Sequence, residues 1–190
     1  MRIRYACQSC GFESPKWLGR CPGCGEWNTL VEEATSPPRR SGRRHVEPIP
    51  LVEVAPLPEA RIPTGIGELD RVLGGGIVPG SLILVGGDPG IGKSTLALMA
   101  SQRIAQTGRT VLYVSGEESP QQTKMRADRI GASSRGILLL AETELDGVLE
   151  VARRLRPALL VVDSIQTVAR ADLGSSPGSV GQVRECAAAL

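Results

Sequence analysis

The sequence predicts an α/β fold with a mainly parallel sheet, preceded by a small cysteine-rich module. Three observations predict it. Four cysteines fall in the first 24 residues as two C-x-x-C pairs. After about residue 61, apolar runs alternate with helical patterns. Among them, a glycine-rich turn at residues 87–92 joins one apolar run to a helix. Near-continuous apolar strands between helices need cover on both faces, and a parallel sheet flanked by helices supplies it.

The chain has 190 residues, 41% of them hydrophobic, enough for one core domain and a small appendage. Only 3% are aromatic, so the core must be built from Leu, Val, Ile and Ala. A net charge of +2 argues neither for nor against a nucleic-acid partner, and any basic surface must be local. The start, Met-Arg-Ile-Arg-Tyr-Ala-Cys, lacks the apolar stretch of a signal peptide. No apolar run approaches a membrane span. A soluble cytoplasmic protein with no membrane partner is the expectation.

Composition divides the chain at residues 1–33, 34–60 and 61–190. The first stretch holds Tyr5, Phe12, Trp17 and Trp27, four of the five aromatics. The second holds Pro37, Pro38, Pro48, Pro50, Pro56 and Pro58 with Arg39, Arg40, Arg43 and Arg44, and reads as an extended, semi-rigid basic linker. The third reads as strands at 81–86 (SLILVG, buried), 110–115, 136–141 and 158–163. Helices are expected at 93–106, from Ser119-Pro120 to near Gly131, at 143–156, and at 183–190. A helix left uncovered at residue 190 leads us to expect a longer parent protein.

Gly87-Asp88-Pro89-Gly90-Ile91-Gly92-Lys93-Ser94 matches G-x-x-x-x-G-K-[ST]. It lies between an expected strand and an expected helix, the context that the P-loop motif requires. Glycines let successive backbone N–H groups turn toward phosphate oxygens, and the helix N-terminus adds partial positive charge. These residues and the next, Thr95, form the candidate ATP site. Lys93 would reach the β- and γ-phosphates, and the Ser94 hydroxyl would ligate magnesium. Asp163 ends the apolar run Leu159-Leu160-Val161-Val162, where a carboxylate emerges at a strand's C-terminal end and could hold the same magnesium. Glu117 and Glu118 follow the run TVLYVS, and either could orient the attacking water. Both could equally be solvated charges ahead of a helix.

Cys7, Cys10, Cys21 and Cys24 form two knuckles separated by ten residues, a ligand set for one tetrahedral zinc. With four protein ligands no coordination position stays open, so the zinc is structural. About thirty residues bury little core; metal binding, worth roughly 10–16 kcal/mol in such peptides, would drive their folding. Two disulfides or an iron–sulfur site are the alternatives. Trp17 and Trp27 could stack on bases or grip a protein partner, but packing over the knuckles is favoured. Cys186 is read as a buried small apolar residue.

These elements together resemble the RadA (Sms) family of bacterial DNA-repair ATPases. The segments that carry the resemblance are CQSCGFESPKWLGRCPGCGEWNTLVEE, RIPTGIGELDRVLGGGIVPGSLILVGGDPGIGKSTL, VLYVSGEES and LLVVDSIQTV. The ribbon is the most specific, since other RecA-type P-loop ATPases lack it. The TGIGELDRVLGGG stretch is shared with a wider group that includes circadian-clock-type ATPases. The resemblance implies a RecA-like core, homo-hexameric rings, binding of single-stranded or branched DNA, and ATP-driven branch migration in recombinational repair. It also implies recombinase and replication proteins as partners. It assigns water activation to Glu117, and it sets residues 170–181 where the family's DNA-facing loops lie, with Arg170 and Arg184 as phosphate contacts. The family's Lys-Asn-Arg-Phe-Gly motif and its domain resembling the Lon protease are not found in this chain. A partner-binding module with little hydrolysis, or a RecA-like signalling ATPase that does not act on DNA, are the competing readings.

Overall fold

The computed structural model describes residues 2–35, 48–54 and 60–190. The first part is a three-stranded antiparallel sheet of β1 (Arg2–Cys7), β2 (Glu13–Ser14) and β3 (Leu30–Thr35), ordered β2-β1-β3. Cys7 pairs with Leu30 at the end of the ladder, so the strand delivers its last residue directly into the first knuckle. The core of this small unit is Cys7, Cys21 and Leu30, with Tyr5, Phe12 and Leu18 packed against them. So few apolar residues cannot hold thirty residues together, which leaves the cysteines to do so.

Of the linker, residues 48–54 are described and contain only a short 3-10 turn, Leu51–Glu53, exposed throughout. The four expected linker arginines, with Pro37, Pro38, Pro56 and Pro58, lie outside the described residues.

The larger unit alternates helix and strand: α1 (Gly67–Val72), α2 (Lys93–Gln106), β4 (Val111–Ser115), α3 (Pro120–Arg129), β5 (Ile137–Ala141), α4 (Leu145–Leu155), β6 (Leu159–Asp163) and α5 (Val180–Ala189). The three strands form one parallel sheet, ordered β5-β4-β6, with Ser115 in register with Ala141 and Asp163. The middle strand is buried along its whole length. One of its faces sends Val111 into a cluster with Ile104 and Ala105 of α2. The other sends Leu112 and Val114 against Val148 of α4. Burying such side chains fully stabilises the fold by about 1.5–3 kcal/mol each. The sequence marks the helix ends clearly. Ser119 caps α3 in a reciprocal capping box with Gln122, and Pro120 stands at its first turn.

One expectation fails. Residues 81–86, read as a buried strand, form no strand, and Leu82 and Leu84 are 68% and 85% exposed. A strand needs a neighbour to satisfy its N–H and C=O groups. Among the described residues the sheet stops at β6, and no strand is bonded to this segment. The apolar run therefore has composition for a strand but no partner. The last helix starts earlier than expected, at Val180, because Ser179 caps it by accepting from the Gln182 amide.

The turn before α1 depends on Asp70. Its Oδ1 accepts from the Thr64 amide and hydroxyl, both at 2.7 Å, and its Oδ2 from the Gly65 amide at 3.2 Å. The Thr64 hydroxyl foremost, then the two amides, hold this carboxyl below its usual range against partial desolvation. A depressed folded pKa contributes stability above the unfolded value near 3.9, lost as pH falls through the folded one. Asp70→Asn is expected to lower the thermal midpoint at neutral pH and to flatten the acid limb of the stability curve. Parallel acid limbs for the two proteins would count against this.

Candidate functional site

The four cysteine Sγ atoms lie within 4.8 Å of one another. The close pairs run across the knuckles: Cys7 to Cys24 at 3.7 Å and Cys10 to Cys21 at 3.6 Å. Zn–S bonds of 2.3 Å in a tetrahedron place sulfurs about 3.8 Å apart. Disulfide sulfurs would be at about 2.05 Å. The set fits zinc, and these four residues would hold it. Each knuckle closes in the same way, with the Gly11 amide donating to Cys7 O at 2.9 Å and the Gly25 amide to Cys21 O at 2.8 Å. Both glycines take left-handed backbone, φ 75° and 77°, which side chains disfavour.

Proton sharing within the cluster is uneven. Burial opposes the Cys7 thiolate, but hydrogen bonds with Thr29 and from the Cys10 and Ser9 amides bring its pKa down to about 6. At Cys10 the Phe12 amide favours the thiolate, yet desolvation and the neighbouring thiols push the pKa up to about 12. Four thiolates this close repel one another, and a divalent cation relieves that repulsion. Cys186 is separate: it is fully buried beside Leu145 and Val168, and burial raises its thiol.

The tryptophans correct a second expectation. Trp17 and Trp27 are 53% and 70% exposed, so they do not seal the knuckles. Both rings instead approach Gly19, and Arg20 stacks 6.0 Å from the Trp27 ring. Leu18 and Phe12, not the indoles, pack on the cysteines.

At the second site, Gly87, Asp88, Pro89, Gly90, Ile91 and Gly92 form an exposed loop, and Gly92 is the N-cap of α2. Lys93, Ser94 and Thr95 open that helix. Lys93 Nζ donates to Gly87 O at 2.7 Å and Asp88 O at 2.9 Å, so the amine lies over the loop. Ser94 Oγ donates to Asp163 Oδ1 at 3.0 Å, across 69 residues of sequence. Two ligands of an octahedral magnesium at 2.0–2.1 Å stand about 3 Å apart when adjacent. Ser94 and Asp163 therefore have the spacing of a shared hard cation, and would hold it from two sides.

The glutamates separate by partner. Glu118 is paired with Arg126 of α3, and its amide and carbonyl bond the Ser115 hydroxyl. Glu117 is exposed and accepts from Ser164 Oγ at 2.5 Å, just beyond Asp163. Gly116 makes this approach possible: a Cβ there would meet Thr167 Oγ1 at 2.0 Å. An open cleft of about 330 Å³ lies beyond Glu117, lined also by Glu142 and Thr143. It does not include the glycine loop or Asp163.

Arg170 and Arg184 are not brought to this site. Arg170 forms a two-pronged pair with Asp172, at 3.0 and 2.8 Å. Arg184 reaches Glu13 of the cysteine unit at 3.1 Å, while Glu13 also pairs with Arg4. Sequence reasoning missed three organising residues. Tyr113 donates to Asp163 Oδ2 at 2.6 Å. Ser164 holds Glu117. Gln182, 1% exposed, bonds Arg170 N and O and Ser175 O, fixing the loop before α5. A polar residue on the inner face of a helix was the available signal for the last.

Two family models match parts of this chain. The Rubredoxin metal binding domain family matches residues 5–32, and the KaiC ATPase family matches residues 62–138. The DNA repair protein RadA of Bacillus subtilis is 50% identical over 197 residues, covering 100% of this chain and 43% of that protein. Over its whole length the chain is similar to part of the RadA proteins. The RadA proteins of Listeria monocytogenes and Chlamydia trachomatis are 51% and 48% identical, covering 98% and 100% of this chain and 42% of each relative. The chain thus spans less than half the length of the curated relatives it matches. It combines a zinc ribbon with a RecA-like P-loop core built on a parallel sheet.

Replacing Cys21 by Ser removes one of four ligands. Metal analysis of the purified chain is expected to fall from one zinc per chain toward none. Lowering pH is expected to release zinc from the unaltered protein, since protons compete for the thiolates. Full zinc occupancy in Cys21→Ser would contradict the assignment.

Proposed function

We propose that this chain is the ATP-binding and ATP-hydrolysing part of a DNA-repair ATPase of the RadA kind. The observation that carries the reading is the Ser94–Asp163 pair at 3.0 Å, which joins the glycine loop's helix to the end of β6. Backbone N–H groups of Gly87, Asp88, Gly90, Ile91 and Gly92 cradle the phosphates, with Pro89 shaping the turn between them, and Lys93 leaves the loop carbonyls to neutralise the β- and γ-phosphates. Magnesium, when bound, offsets the charge that develops on the phosphoryl oxygens. Ser94 and Asp163 orient it, and Thr95 continues the turn beside them. Glu117 accepts the proton of the attacking water. Its tie to Ser164 supports this choice over Glu118, which Arg126 occupies.

In this reading residues 1–33 are the ribbon, 34–60 a linker and 61–190 the ATPase core. The relatives' printed name supports DNA repair as the setting, and the cytoplasm is the location this reading proposes. Single-stranded or branched DNA is the substrate, moved by ATP turnover in homo-hexameric rings. Arg170 and Arg184 exchange their carboxylate partners for DNA phosphates, and recombinase or replication proteins are the protein partners. Among the described residues no helix is long and apolar enough to cross a membrane.

Phosphate release by the purified chain, with and without oligo-dT, tests the reading. Turnover is expected to rise with oligo-dT and to lose that rise at high salt, as phosphate contacts require. Lys93→Ala is expected to abolish nucleotide binding and turnover together. Glu117→Gln is expected to keep ATP affinity and slow turnover roughly 10²–10⁴-fold, the usual contribution of a positioned base. Unchanged turnover in Lys93→Ala would sink the site assignment. Binding without turnover in the unaltered chain would favour a nucleotide-dependent binding module.

A further inference from the structure

We propose that Tyr113 is a positioning residue for the metal that Asp163 binds; this rests on the nucleotide reading above. Tyr113 is the largest fully buried side chain of the core, 1% exposed, on the middle strand β4. Its register partner on β6 is Val161, and its ring extends along the strands so that its hydroxyl donates to Asp163 Oδ2 at 2.6 Å. The opposite oxygen, Oδ1, faces Ser94 Oγ at 3.0 Å. One carboxylate is therefore held from two sides, with one oxygen bound to the protein interior and the other turned to the helix N-terminus.

Apolar packing alone does not account for this. A buried hydroxyl needs a partner, and a carbonyl of the strand would serve. Here the partner is the one carboxylate that ends β6. A tyrosine hydroxyl is ordinarily protonated at neutral pH, so Tyr113 is the donor in this bond. A donor on a side chain with no room to turn fixes the Asp163 rotamer before any cation arrives. Outer-shell donors of this type orient carboxylate ligands, and their loss costs roughly 10–100-fold in metal affinity. Tyr113 moves no proton and touches no phosphate. It acts only through Asp163.

The test is the affinity of the whole chain for the fluorescent analogue MANT-ATP across a magnesium titration. Tyr113→Phe keeps the ring and removes the hydroxyl. It is expected to keep the metal-free affinity and to raise the magnesium needed for half-maximal tightening by roughly 10–100-fold. The same substitution in an Asp163→Asn background is expected to change that midpoint by less than about twofold, since coupled residues are non-additive. General damage to packing would act equally in both backgrounds, so the pair of comparisons remains decisive if Tyr113→Phe is less stable. An unchanged midpoint in Tyr113→Phe, or an equal shift in both backgrounds, overturns the inference while leaving the nucleotide site standing. No magnesium-dependent tightening in the unaltered chain overturns both.

Discussion

Asp163 accepts from Ser94 at the start of α2 and from Tyr113 in the middle of β4. Those two bonds connect the end of β6 to the helix that the glycine loop opens and to the strand that leads, two residues past its end, to Glu117. The rest of the larger unit serves this junction. Residues of α2 and α4 cover the two faces of β4, so the strand cannot shift relative to either helix without opening a close-packed core. A carboxylate at a strand end would otherwise be a flexible surface charge. Here its position is set by buried atoms, which is what preorganised binding of a small cation requires.

The cysteine unit solves a different problem. Its apolar core is too small to specify a fold, so four sulfurs do so, arranged with edges near those of a zinc tetrahedron. It is not isolated from the larger unit. Glu13 reaches Arg184 of α5, and a Cβ on Gly11 would meet Val180 Cγ1 at 2.9 Å. The same helix carries Gln182, which fixes the loop from Arg170 to Ser175. The ribbon and that loop therefore share one support.

Much of this was legible in the residues. The glycine loop, the helix from Lys93 to Gln106 and the strand ending at Asp163 follow from local pattern and appear as expected. The cysteine spacing was enough to foresee the cluster. What was not legible depended on tertiary partners. The run at residues 81–86 has strand composition, but pairing is decided by a neighbour that local sequence does not reveal. Packing of the two tryptophans over the knuckles was the favoured reading, yet both are largely exposed, and Leu18 and Phe12 pack there instead. Glu117 and Glu118 are adjacent and chemically alike, and only their contacts with Ser164 and Arg126 tell them apart. Tyr113 sits within an apolar run whose pattern hides its hydroxyl.

The most direct test of the central claim uses manganese in place of magnesium, because its electron paramagnetic resonance signal distinguishes free from bound ion. With ATP and the unaltered chain, the account predicts one bound Mn²⁺ per chain, displaced by excess Mg²⁺. It also predicts that Ser94→Ala and Asp163→Asn each release most of it beyond what ATP alone retains. Binding of Mn²⁺ and ATP that neither substitution weakens would place the metal elsewhere and contradict the account.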